Sequence, residues 1–231
     1  ENNGKIIANS GAVGVSLTNS SSTFINNSNG IINVSGSGTK GIYVGAGTGE
    51  NNGEIIVAEK AIGINVNGKD AVFNNKDGKI LVTGSGTTGA AIWNGKLNNS
   101  GNIVVNNAAT GIDVNGSSAN FENQTEGKIF VSGQNSKGIQ LRENGEAWNN
   151  GTIEVIDKGI GIYFAGEGNF TNKGTIYSAE SGSKAIYLNS EGTASNEGNI
   201  IVGQDYKDKE GNIISGAGAE GVNVNKEKSE F

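Results

Sequence analysis

The run Gly-x-Ile-x-Val, or a close variant of it, begins nine times along this chain, at Gly4, Gly30, Gly53, Gly78, Gly101, Gly127, Gly151, Gly174 and Gly198, about 24 residues apart. A fixed period of this size marks a chain that stacks one structural unit. Inside each unit the apolar positions alternate with period two, which is a strand signal. Each unit holds three such strands. In the unit from Gly53 they are Gly53 to Val57, Gly63 to Val66, and a brief Val72-Phe73 ahead of Asn74 and Asn75. The second strand recurs as Gly41-Ile42-Tyr43-Val44, Gly111-Ile112-Asp113-Val114 and Gly161-Ile162-Tyr163-Phe164. The third supplies one large residue in most units, at Phe24, Phe73, Leu97, Phe121, Trp148 and Phe170.

These units predict an all-β fold: a right-handed parallel β-helix of about nine three-strand coils, roughly 43 Å long at about 4.8 Å per coil. The hand follows from the preference of parallel crossovers. The period disfavours the hexapeptide prism, and the scarcity of leucine disfavours leucine-rich repeats. The 39 glycines, with abundant Asn and Ser, suit coils that turn sharply three times. Proline is absent, as expected where nearly every strand donates to a ladder.

The chain lacks cysteine, so no disulfide or thiolate metal site is available. No apolar run approaches the roughly 20 residues needed to span a bilayer as a helix. It starts in mid-pattern at Glu1-Asn2-Asn3-Gly4 and reads as one segment, 1–231, of a longer solenoid. The repeat breaks once. A loop insertion at 203–218 separates the first and second strands of the last coil, and 225–231 reads as a charged tail. The insertion is acidic but does not match a calcium-loop spacing, and lysines interrupt it.

An asparagine follows the third strand in every coil: Asn26, Asn51, Asn75, Asn99, Asn123, Asn150, Asn172 and Asn196, with Asn2 leading the series. Stacked at one corner, their amides can bond from coil to coil and satisfy a tight turn. A structural ladder is the favoured reading; a row of ligands for sugar or ice is the alternative.

The tandem Asn-x-Gly-x-Ile-x-Val and Gly-Ile-x-Val units resemble the repetitive passenger domains of Gram-negative autotransporters, particularly the large fusobacterial outer-membrane adhesins. The resemblance covers essentially the whole chain. It implies a secreted rod, carried to the cell surface by a separate C-terminal β-barrel, that binds host or bacterial partners. The lack of cysteine agrees with a chain that threads unfolded through such a barrel.

Right-handed β-helices also host polysaccharide lyases and hydrolases. Here the absence of histidine removes the commonest general base, every Ser-His-Asp arrangement and imidazole metal ligands. The aspartates Asp70, Asp77, Asp113, Asp157, Asp205 and Asp208 fall at different phases of the repeat and read as scattered surface and turn residues. Arg142 is the one arginine. The net charge of −6 argues against nucleic acid. Gly36-Ser37-Gly38 and Gly84-Ser85-Gly86 are turns and not dinucleotide fingerprints, since no helix follows. No cofactor is expected.

Two outward rows are candidates for contact. In the first strands the residue between the inward Ile and Val points out. That row runs Ile7, Asn33, Ile56, Leu81, Val104, Phe130, Glu154, Tyr177 and Ile201. An apolar stripe there implies either stacking along the sheet or a contact face, with Ile56, Leu81, Val104 and Phe130 at its centre. The second strands give Ser16, Tyr43, Asn65, Ala91, Asp113, Gln140, Tyr163, Tyr187 and Asn223. There Tyr163 and Tyr187 occupy adjacent coils near an outward Trp93, either as ordinary surface or as a glycan platform. The reading favoured is a non-catalytic adhesin or stalk at the cell surface, with host-cell or bacterial protein or glycan partners and possible self-association. The alternative is a carbohydrate-active or carbohydrate-binding β-helix of tailspike or polysaccharide-lyase type.

Overall fold

Residues 1–203, 205–207, 213–214, 217–225 and 229–231 are described by a computed structural model, and their strands follow the repeat. The first strands, from Lys5–Asn9 through Glu54–Val57 and Lys128–Val131 to Asn199–Val202, lie in coil order in one nine-stranded sheet. Every pairing in it is parallel, so Ile6, Ile32, Ile55 and Ile80 form one row. Second and third strands share a sixteen-stranded sheet. They merge because in two coils, Ile62–Asn75 and Thr88–Asn99, the chain passes from one strand into the next without a break. The described residues therefore form a parallel β-solenoid of about eight turns at roughly 24 residues each.

The core is a set of registered rows. Ile and Val alternate inward along the first strands, as in Ile55/Val57 and Ile103/Val105, all fully buried. Burying each such side chain is worth about 1.5–3 kcal/mol before chain entropy is charged against it. The second strands add Ile64/Val66 and Ile112/Val114. Their leading glycines are dictated by close approach. A Cβ on Gly111 would stand 2.6 Å from the carbonyl oxygen of Gly138 in the next coil and 2.7 Å from Val105 Cγ2.

The third-strand row mixes large and small residues: Gly49, Phe73, Leu97, Phe121, Ala147, Phe170 and Ala194. Gly49 carries no side chain because Phe73 Cδ2 lies 2.5 Å from where its Cβ would be. The sequence expectation that Trp148 fills this row is overturned. Ala147 pairs with Phe121 and Phe170 and is buried, whereas Trp148 pairs with Glu122 and Thr171 on the outer face. Size alone nominated the tryptophan, and register decides against it.

The same one-residue shift moves the ladder in that coil. The ladder member is Asn149, not Asn150. Each ladder Nδ2 donates to the Oδ1 of the next coil, from Asn2 to Asn26, Asn51, Asn75, Asn99, Asn123, Asn149, Asn172 and Asn196, at 2.7–2.8 Å. Most also donate to a nearby turn carbonyl, as Asn99 does to Gly101 at 3.2 Å. Asn150 instead points outward and donates to Glu122 Oε1 at 3.0 Å.

A second capping device sits at the turn between first and second strands. Non-glycine pairs there adopt left-handed angles: Glu59/Lys60, Asn107/Ala108 and Asp157/Lys158, with φ between 51° and 65°. Such pairs are costly unless held. In each case a buried hydroxyl one coil on accepts the second residue's N–H: Thr87 from Lys60, Ser136 from Ala108 and Ser183 from Lys158, at 3.0–3.2 Å. Hydroxyl turns and left-handed turns thus alternate from coil to coil.

In the insertion, Tyr206–Lys207 pairs antiparallel with Ile213–Ile214. Its Asp208 and Glu210 lie outside the described residues. Of the expected tail, 226–228 also lie outside them, while Ser229 and Glu230 return to the third-strand row against Gly192 and Thr193.

Candidate functional site: two outer faces

The first face is the outer row of the nine-stranded sheet. Registration places Ile7, Asn33, Ile56, Leu81, Val104, Phe130, Glu154, Tyr177 and Ile201 side by side in successive coils. Ile56, Leu81, Val104 and Phe130 are consecutive and half-buried against one another, forming a continuous apolar band. Stacking of this kind stabilises a sheet by itself, at roughly 0.2–1 kcal/mol per pair. Beside the band runs a charged row that includes Glu54, Lys79 and Lys128, where Lys79 pairs with Glu54 at 3.2 Å.

The second face is the outer row of the second strands: Ser16, Tyr43, Asn65, Ala91, Asp113, Gln140, Tyr163, Tyr187 and Asn223. Its middle is more enclosed than an outward row suggests. Asp113 and Gln140 are each only 7% exposed. The reading of Asp113 as a scattered surface carboxylate is therefore corrected. Both its oxygens are held by Arg142, which donates from Nε at 2.9 Å and Nη2 at 2.8 Å, and Gln140 Nε2 adds a third bond at 3.1 Å. A bidentate guanidinium pair fixes a carboxylate in plane and suits it to anchoring its neighbours.

Tyr163 and Tyr187 follow one coil apart with ring centroids 5.7 Å apart and planes tilted by 54°. Asn189 ties the two hydroxyls: its Nδ2 donates to Tyr163 Oη, and Tyr187 Oη donates to its Oδ1, both at 3.0 Å. Lys137 Nζ lies 5.0 Å from the Tyr163 ring centre, and Lys184 Nζ lies 5.8 Å from that of Tyr187. Burial holds the Lys137 ammonium below the ordinary lysine range. Nearby Arg142 pushes it the same way, and Asp113 opposes both. Trp93 is 47% exposed at a register shift in Thr88–Asn99, beside Ala91. Three coils, about 14 Å, separate it from Tyr163, so the structure brings the two tyrosines together but not the tryptophan.

Sequence reasoning missed Lys137, Arg142 and Asn189. The signal was present in the period: Lys137 and Lys184 stand at the same phase, ahead of Gly138 and Ala185. No group of three or more Asp, Glu, His or Cys side chains able to hold a metal occurs among the described residues.

Fold and faces together define a repeat-built β-solenoid whose variable chemistry is carried on its outer rows. A family model described as the BigA third pectate lyase-like domain matches residues 60–185, more than half of the chain, and the chain belongs to that family, which is of bacterial autotransporter type. Among solved structures, the crystal structure of a TibC-catalysed hyper-glycosylated TibA fragment is similar at 17% identity over 98% of this chain and 93% of that one, with a TM-score of 0.26. No curated protein matches the chain.

Proposed function

We propose that this chain is a non-catalytic adhesin or stalk segment of an autotransporter passenger, displayed at the cell surface, that presents an extended sheet face to a host or bacterial surface. The observation that carries the reading is the apolar run Ile56, Leu81, Val104 and Phe130, in register on four consecutive coils and facing outward. A continuous apolar band on an outer face is the kind of surface a partner can cover. Family membership supports the passenger assignment. The lack of histidine supports the non-catalytic half, because it removes the commonest general base.

The experiment is the double substitution Leu81→Lys and Phe130→Lys in the surface-displayed protein. Both side chains point outward, so melting temperature should hold within a few degrees while attachment to cells falls severalfold. Unchanged attachment by a folded variant would show that the band is ordinary stacking. Loss of folding would show that it is covered by structure.

A second reading, a carbohydrate-binding face, is favoured by the Tyr163–Tyr187 pair with its amide clamp at Asn189. Release of unsaturated uronates from mixed polysaccharides would turn either reading into an enzymatic one.

A further inference from the structure

Charge around Asp113 does not close. Arg142 has its carboxylate in Asp113, and further along the second-strand face Lys184 has Glu220 at 2.8 Å. Lys137 occupies the same row as Lys184, two coils earlier. Where the next coil hands Lys184 a glutamate, it hands Lys137 the buried Ile160. Among the described residues the Lys137 ammonium has no ion pair and no hydrogen bond; the Tyr163 ring stands 5.0 Å from it. Asp113 makes no direct bond to it, its hydrogen bonds coming instead from Arg142 and Gln140. Two cations therefore share one neutralised carboxylate, and one positive charge is left over on a half-buried ammonium.

Such a group is costly to hold. Desolvation of the ammonium is the largest effect, the like charge of Arg142 adds to it, and Asp113 and contact with a ring face oppose both. The surplus has the character of a site that waits for an anion. What surrounds it narrows the ligand. The two tyrosine rings are locked by Asn189, and Asn225 Nδ2 donates to Tyr187 Oη at 3.3 Å, so the aromatic surface is preorganised along the rod beside amide groups. Ring faces edged with amides suit the C–H faces and hydroxyls of a sugar.

We propose that Lys137, with Arg142 beside it and Tyr163 and Tyr187 as platform, binds an acidic saccharide, its carboxylate or sulfate on the Lys137 ammonium and its rings along the tyrosines. The proposal rests on the reading of the chain as a binding rod. It concerns a different sheet from the Leu81–Phe130 band, so the two tests fail separately.

The test is calorimetric titration of the purified chain with an oligogalacturonate hexamer, a heparin-derived hexasaccharide and neutral maltohexaose. Saturable binding of at least one acidic oligosaccharide is expected, weakening as salt rises. Which of the two binds distinguishes carboxylate from sulfate. Lys137→Gln should weaken that binding tenfold or more while melting temperature is kept, because the Asp113–Arg142 pair is untouched. Lys128→Gln, on the other sheet, should leave it unchanged. The proposal is overturned if neither acidic oligosaccharide binds, if maltohexaose binds equally, or if a folded Lys137→Gln binds like the parent. It is also overturned if Lys128→Gln weakens binding as much as Lys137→Gln, which would make the effect one of general charge.

Discussion

Two adjacent asparagines, Asn149 and Asn150, give the sharpest test of the register. Asn149 is fully buried. Its Oδ1 accepts from Asn123 Nδ2 at 2.7 Å, and its Nδ2 donates to Asn172 Oδ1 at 2.7 Å and to the Gly151 carbonyl at 3.3 Å. Truncation to alanine removes two short buried bonds, each worth about 1 kcal/mol net, and leaves Asn172 Oδ1 without its donor, which adds about 1–3 kcal/mol. Gly151 O is spared, because Thr175 N still donates to it at 2.9 Å. Asn149→Ala should therefore cost about 3 kcal/mol, roughly a hundredfold in the local folding equilibrium. Asn150→Ala loses one half-exposed bond to Glu122 and should cost less than about 1 kcal/mol. Trp148 reports on this coil directly. Urea unfolding followed by its fluorescence, in a Trp93→Phe background, measures both variants beside the parent. Because a solenoid loses stability coil by coil, hydrogen exchange across 123–172 should show the loss confined to adjoining coils. Equal costs, or a larger one for Asn150→Ala, would refute the chain of amides as drawn.

Phe121→Ala should cost about 3–5 kcal/mol through the cavity opened between Leu97 and Ala147, read as a drop in urea midpoint; a loss under 1 kcal/mol would contradict its inward position. Ser136→Ala strips the acceptor from the N–H of left-handed Ala108 and should cost about 1–3 kcal/mol, with faster amide exchange at Ala108 and not two coils away. Glu50 and Glu220 are held below the ordinary carboxylate range, chiefly by hydrogen bonds from Lys76 and Lys184 and then from Asn52 and Asn223. A folded-state value below the unfolded 4.5 gives stability that is present above that pH and lost as pH falls through the folded value, so Lys76→Gln should flatten the stability curve below about pH 4.5.

The interior was legible because every coil buries against a near copy of itself. Period two and period 24 fall straight out of Ile55/Val57 and its repeats, and one outward residue per strand follows from them. The error at Trp148 and Asn150 came from reading residue type ahead of spacing. In most coils the ladder asparagine stands two places before the glycine that opens the next strand, as Asn51 does before Gly53 and Asn99 before Gly101. Counting back from Gly151 reaches Asn149. The hydroxyl caps at Thr87, Ser136 and Ser183 were hidden because they recur only in alternate coils, at twice the obvious period. The Asp113–Arg142 pair was hidden for another reason: it joins two coils, 29 residues apart, through side chains that no pattern within one coil relates.

Outer rows escape the repeat because their side chains do not have to fill the shared core, so chemistry there can differ from coil to coil where neighbours such as Asp113 and Arg142 match one another. The two candidate faces occupy different stretches of the rod but share one coil. Phe130 ends the apolar band, and Lys137 opens the cationic and aromatic patch seven residues later, across the turn at 132–136. A single partner that engages both must wrap that turn, whereas two partners would meet the sheets independently. Combining Phe130→Lys with Lys137→Gln separates these cases. If one partner bridges the turn, the two losses in binding should couple, because the second contact is made at the high effective concentration set by the first. If the faces are separate, cell attachment should respond to Phe130 alone and acidic-saccharide binding to Lys137 alone. An additive loss in a single assay would mean that one ligand touches both faces without cooperation, and the partition of the rod into two sites would then have to be abandoned.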